Sequence, residues 1–99
     1  MDTTRQNKFS RLIQKDLSQI FQLESKGTYA GTMITVTTVR VSPDLNQAKV
    51  YLSLFTFGEV KKEEILGKIV ENTKDIRRNL GIRIGKQARV IPDLEFFID

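Results

Sequence analysis

The apolar residues of the first quarter of the chain, Phe9, Leu12, Ile13, Leu17, Ile20 and Phe21, recur every three or four positions. That period gathers them on one side of a helix over residues 3–24. Asp2, Thr3 and Thr4 are candidate N-caps, and Gly27 supplies a stop. From residue 31 the period shortens to two. Residues 31–41, rich in Thr and Val, read as a first strand, but the alternation changes phase. Ile34 and Val36 share one face, whereas Val39 and Val41 share the other. A bulge near Thr37–Thr38 would restore a single apolar face, because one extra residue reverses side-chain orientation. Ser42-Pro43-Asp44-Leu45-Asn46 is a turn. Residues 47–55 then alternate without interruption, with Ala48, Val50, Leu52 and Leu54 on one side and Lys49, Tyr51 and Ser53 on the other.

Phe57-Gly58 ends this hairpin. Residues 61–80 return to helical spacing, with Ile65, Leu66, Ile69, Val70, Thr73, Ile76 and Leu80 on one side. Asn72 and Thr73 form a weak point there, since both have modest helix propensity. Gly81 follows, and residues 82–86 fit neither pattern. Residues 90–98 read as a third strand with Pro92 near an edge and Leu94, Phe96 and Ile98 facing the core. A strand that returns after a helical crossover runs parallel to its predecessor, with right-handed connectivity. The expected architecture is α+β, in the order α-β-β-α-α-β. Strand 2 is central in a three-stranded mixed sheet, and the helices pack on one face.

Ninety-nine residues make one domain, 1–99, with room for one core. An apolar share of 39% is enough to fill it, and 28% charged residues solvate the outside. The chain has no cysteine and no histidine. Disulfides and thiolate metal sites are thereby excluded, and the commonest general base and metal ligand are missing. With no paired-carboxylate motif or phosphate-cradling loop either, no enzyme, cofactor or metal centre is expected. No run has the length of a membrane span and the N-terminus is polar, so a cytoplasmic monomer is expected.

The net charge of +4 is unevenly spread. Residues 74–89 contain Lys74, Arg77, Arg78, Arg83, Lys86 and Arg89 against a single acid, Asp75. Such a cluster suits phosphate contacts, which set affinity and placement more than sequence choice. Lys86 and Arg83 lead this set. Arg77, at the rim of the apolar stripe, has an alternative in packing its stem over the core. Arg89, at the head of a strand, has one in a fold-level ion pair. Arg5, Lys8, Arg11 and Lys15 cluster opposite the apolar side of the first helix, either as a solvated surface or as a second patch built on Lys8, Arg11 and Lys15. Tyr51 and Phe97 fall on the open sheet face, where cross-strand packing is the plainer reading and base stacking the alternative.

The element order, with its basic helical segment, resembles a type II KH domain, a module that grips RNA through a GXXG loop. This chain has no such loop: Gly81-Ile82-Arg83-Ile84-Gly85 is one residue too long and comes late. A resemblance across nearly the whole chain is to the ribosome-binding factor A family of bacterial assembly factors. It is carried by the basic amphipathic first helix with Arg11 and Ile13, by TVTTVRVSPDLNQAKVYLS (35–53), by Ile76-Arg77 followed by Leu80-Gly81, and by RVIPDLEFFID (89–99). The resemblance implies a KH-like fold in which a kink, typically Ala-x-Gly, replaces the GXXG turn. Glu71-Asn72-Thr73-Lys74-Asp75 contains neither Ala nor Gly, and the kink is placed at Asn72–Thr73. It also implies a non-enzymatic factor that binds the small (30S) ribosomal subunit and its 16S rRNA late in maturation, including 5′-end rRNA processing. Many members carry a charged C-terminal tail. The sequence runs to Asp99, so no function of that tail is assigned to it.

A rival from another class is a protein-interaction module in which strand 2 or strand 3 pairs with a partner's edge and RNA is not touched. It accounts for the hairpin and gives the basic segment no role.

Overall fold

The computed structural model describes residues 3–24, 27 and 29–99. Its elements are α1 (Thr4–Glu24), β1 (Thr32–Val41), β2 (Gln47–Thr56), α2 (Lys62–Glu71), α3 (Thr73–Ile84) and β3 (Asp93–Ile98). The strand order is β1-β2-β3, with β2 antiparallel to β1 and parallel to β3. This is the α-β-β-α-α-β, KH-like arrangement expected from the sequence, with β2 in the centre.

α1 begins with a reciprocal cap. The Gln6 amide N–H donates to Thr3 Oγ1 at 3.2 Å, and the Thr3 N–H donates to Gln6 Oε1 at 3.0 Å. This is the capping box, written in the sequence as Thr-x-x-Gln. Gln6 Nε2 also donates to the Val41 carbonyl at 2.9 Å, pinning the start of α1 to the end of β1. Of the three expected caps Thr3 serves; Asp2 lies outside the described residues.

The expected phase change in β1 is a bulge. Met33–Val36 pair in step with Phe55–Leu52, and the register shifts between Val36 and Thr38, leaving Thr37 as the extra residue. Val36, Val39 and Val41 are therefore all buried under the helices, with Ile34 half-buried. The Thr37 hydroxyl lies 2.7 Å from Asp99 Oδ2 and 3.1 Å from the Tyr51 carbonyl, so the bulge is also tied to the end of β3.

Every inward residue of β2 from Ala48 to Leu54 is buried, as its alternation requires. Phe21, Ile13, Leu17, Ile65, Ile69, Leu80 and Ile84 join these residues in a continuous core between the sheet and the helices. Phe21 meets Phe96 edge-on with ring centroids 6.0 Å apart. On the opposite sheet face Tyr51 stacks on its cross-strand partner Phe97, with centroids 5.3 Å apart and planes at 24°.

The helical span 61–80 divides into two helices at Asn72, within the expected kink, where a φ of −94° and ψ of 10° leave the helical region. Ile65, Ile69, Ile76 and Leu80 are buried, while Val70, expected on the same side, is 54% exposed. Other boundaries shift. α3 runs through Gly81 to Ile84, absorbing most of the segment that fitted neither period. β3 begins at Asp93 rather than at 90, because Pro92 has no N–H to give a ladder. Ile98, expected in the core, lies at the strand end and is 36% exposed.

Candidate nucleic-acid interface

The buried stripe of α3 is Ile76, Leu80 and Ile84, spaced by four. At about 100° per residue, Arg77 and Arg83 fall on opposite flanks of that stripe, while Lys74 and Arg78 point away from it. The four basic residues of α3 thus divide by position on the helix, and Lys86 and Arg89 lie beyond its end.

Arg77 is engaged by the backbone. Its Nη2 donates to the Ile91 carbonyl at 2.7 Å and its Nε to the Pro92 carbonyl at 3.1 Å. Asp93 lies 3.5 Å from the same Nε, with the two side chains 45% and 80% exposed, so that pair adds little. The two carbonyl bonds matter more: they fasten the segment before β3 to α3. Arg83, expected with Lys86 to lead the phosphate contacts, is already engaged within the fold. Its Nε lies 3.0 Å from Asp16 Oδ1, with Arg83 31% and Asp16 14% exposed. This bond ties α3 to α1. The physical reason is helical geometry: a side chain about 60° from a buried stripe lies against the neighbouring element.

Lys74, Arg78, Lys86 and Arg89 are exposed, and none has a hydrogen-bond or ion-pair partner among the described residues. Arg5, Lys8, Arg11 and Lys15 on α1 are likewise exposed and unpaired among the described residues. Charges without internal partners keep their full capacity to replace phosphate counterions.

Asn72 and Thr73 shape the join between α2 and α3. The Asn72 N–H donates to the Lys68 and Ile69 carbonyls, and the Thr73 hydroxyl donates to the Val70 carbonyl at 2.8 Å. Side-chain and backbone donors thus satisfy the last carbonyls of α2, allowing the chain to turn without a glycine. The Asn72 amide reaches the Tyr29 hydroxyl at 3.4 Å. Burial pushes the Tyr29 phenol above its ordinary pKa. The Asn72 contact opposes that shift, and the carboxylates of Glu24 and Asp75 add to it. Tyr29 is 2% exposed, yet nothing in the sequence pattern singles it out. A lone aromatic between two glycines carries no periodic signal.

Fold and surface together define a KH-like domain with a cationic helical edge. The sequence profile of the family described as Ribosome-binding factor A matches residues 5–99. A relative of that name in Cytophaga hutchinsonii is 43% identical over 100% of this chain and 73% of its own length. Another, in Flavobacterium johnsoniae, is 43% identical over 100% of this chain and 75% of its own. The chain belongs to the ribosome-binding factor A family. The crystal structure of ribosome-binding factor A from Thermus thermophilus has a TM-score of 0.74 at 23% identity, covering 94% of each chain. A homology model of the Thermus thermophilus factor, fitted into the cryo-EM map of its 30S complex, has a TM-score of 0.67 at 24% identity, covering 87% of this chain and 86% of that one. At these identities the likeness to the solved structures is one of fold.

Proposed function

We propose that this chain is a non-enzymatic assembly factor that binds the small (30S) ribosomal subunit and its 16S rRNA, as a monomer in the cytoplasm. It acts late in subunit maturation, including 5′-end processing of the rRNA. The observation that carries the reading is the set of unpaired cations on α3 and just beyond it, Lys74, Arg78, Lys86 and Arg89, in a chain of this family. The relative from Thermus thermophilus, described in a complex with the 30S subunit, supports the same partner. Lys8, Arg11 and Lys15 add a second patch. Arg77 and Arg83 act through the fold, holding α3 in place beneath the exposed cations.

Co-sedimentation with isolated small subunits and with mature ribosomes, over a salt series, tests this. Preferential, salt-weakened binding to the isolated subunit is expected. Binding indifferent to salt would favour the edge-pairing rival. For that rival β2 is already excluded, because it is paired on both sides. Among the described residues, the outer edges of β1 and β3 lack a strand neighbour.

A further inference from the structure

A cleft of about 450 Å³ opens between the N-terminal half of α1, the β1–β2 turn and residues 87–90. Its inner wall is apolar: Phe9 and Leu45 are buried, and Leu12 and Ala88 are half-buried against the core. Its rim is cationic: Arg5, Lys8 and Arg89 are exposed and lack ion-pair partners among the described residues. No carboxylate lines it among the described residues. An apolar pocket under three free cations is complementary to an anion with a flat apolar body.

We propose that this cleft receives one unstacked nucleotide of single-stranded RNA, with the base on the apolar wall and flanking phosphates on Arg5, Lys8 and Arg89. The proposal deepens, and rests on, the reading that the chain binds ribosomal RNA. The volume lies within the range of small-ligand sites, roughly 300–1,000 Å³. A base held in a duplex cannot enter, so the occupant is a loop, bulge or end, the elements that RNA-binding proteins read through splayed bases. Gln87, also on the lining, offers an amide donor and acceptor to the base edge. Leu45 bears on the same point. It holds a φ of 63°, a region a branched L-residue occupies at a cost of about 1–3 kcal/mol. That backbone conformation places its side chain in the cleft wall.

The cleft also joins the two cationic patches. Lys8 belongs to the α1 patch and Arg89 to the patch that follows α3, so a strand crossing from one to the other passes over this opening.

The test is methyl NMR of the whole chain, following Leu12, Leu45, Ala88 and Val90 while uridine or adenosine hexaribonucleotides are added, with an RNA duplex and an acidic peptide as comparisons. Single strands are expected to shift these methyls, and the duplex to leave them in place. Arg5→Ala with Lys8→Ala should weaken hexaribonucleotide binding by about fivefold or more, since two cations no longer meet phosphates, with an unchanged Tm. Val90→Glu, which puts a carboxylate on the rim, should weaken it in the same direction. Cleft methyls that stay fixed at saturating single strand overturn the proposal, as does a response to the acidic peptide and to neither RNA. Small-subunit co-sedimentation of the same variants separates the two readings. Subunit binding with silent cleft methyls removes the cleft and keeps the assembly factor. Cleft binding of hexaribonucleotides without subunit binding keeps the nucleotide site and removes the ribosome.

Discussion

Arg83 Nε and Asp16 Oδ1, separated by 67 positions in sequence, lie 3.0 Å apart and join α3 to α1. Asp16 is only 14% exposed, so removing the guanidinium strands a largely shielded carboxylate. Exposed pairs are worth roughly 0.2–1 kcal/mol, and truncating one partner of a fully buried pair costs about 3–5 kcal/mol. This pair lies between those limits. Arg83→Ala should therefore destabilise the domain by about 1–2 kcal/mol, a fall in Tm of several degrees for a chain of this size. Asp16→Ala should cost no more, and the double variant should cost less than the sum of the two. Additive losses in denaturant titrations would show the pair to be uncoupled.

The outward cations should behave in the opposite way. Lys74, Arg78 and Lys86 have no hydrogen-bond or ion-pair partner among the described residues, so replacing all three with Ala should move Tm by no more than about a degree or two. Subunit affinity should fall. The plot of log affinity against log salt should flatten by roughly one unit or less for each phosphate that goes unneutralised. Unchanged binding with unchanged stability would move the interface elsewhere on the surface.

The elements and topology were legible because they depend on period. The β2 alternation, the phase change in β1 and the crossover into β3 are each visible in apolar spacing alone. The two guanidinium anchors were legible only in part. The apolar spacing sets Arg77 at the rim of the stripe and so marks it off from Arg78, but not its two carbonyl partners; Arg78 lies across the helix. Arg83 carried no such signal, because residues 82–86 fit neither period and the extent of α3 was not visible there. Nor was the bent residue of the β1–β2 turn legible. Asp44 and Asn46 are the usual choices for positive φ, yet Leu45 adopts it, because its side chain is buried. Asp44 instead receives hydrogen bonds from the Ser42 hydroxyl and from the backbone and side-chain N–H groups of Asn46. These contacts hold its carboxyl below the usual range. The reach of the Thr3-Gln6 box to Val41 was likewise beyond a one-dimensional reading.

Tyr29 gives the fold a dependence on alkaline pH. Its phenol is raised above the ordinary 10.0, chiefly by burial. The folded state therefore holds this proton more tightly than the unfolded chain does. The corresponding stability is intact below about pH 10 and is lost as pH rises through the elevated value. Tyr29→Phe removes the 3.4 Å contact with Asn72, which at neutral pH should cost no more than about 1 kcal/mol. Above about pH 10 the variant should lose less stability than the parent. Parallel Tm curves for the two proteins from roughly pH 8 to 11, at constant offset, would mean that Tyr29 ionises equally easily folded and unfolded. The comparison cancels the lysines, which titrate in the same window in both proteins.

Thr37 should be dispensable to the pairing of β1, because the register passes over it: Val36 pairs with Leu52 and Thr38 with Tyr51. With the extra residue removed, strict alternation places Ile34, Val36, Val39 and Val41 on one face, the face that meets the core. Deletion of Thr37 should therefore keep a cooperative unfolding transition. It forfeits the hydroxyl's contacts with Asp99 and the Tyr51 carbonyl and straightens the strand, at a cost of about 1–3 kcal/mol. Thr37→Val keeps the extra residue and forfeits only the hydroxyl's contacts, so it should cost about 1 kcal/mol. Urea denaturation followed by tyrosine fluorescence checks both, because loss of the cooperative transition in the deletion would mean that the core needs the bend of the bulge and not only the inward valines.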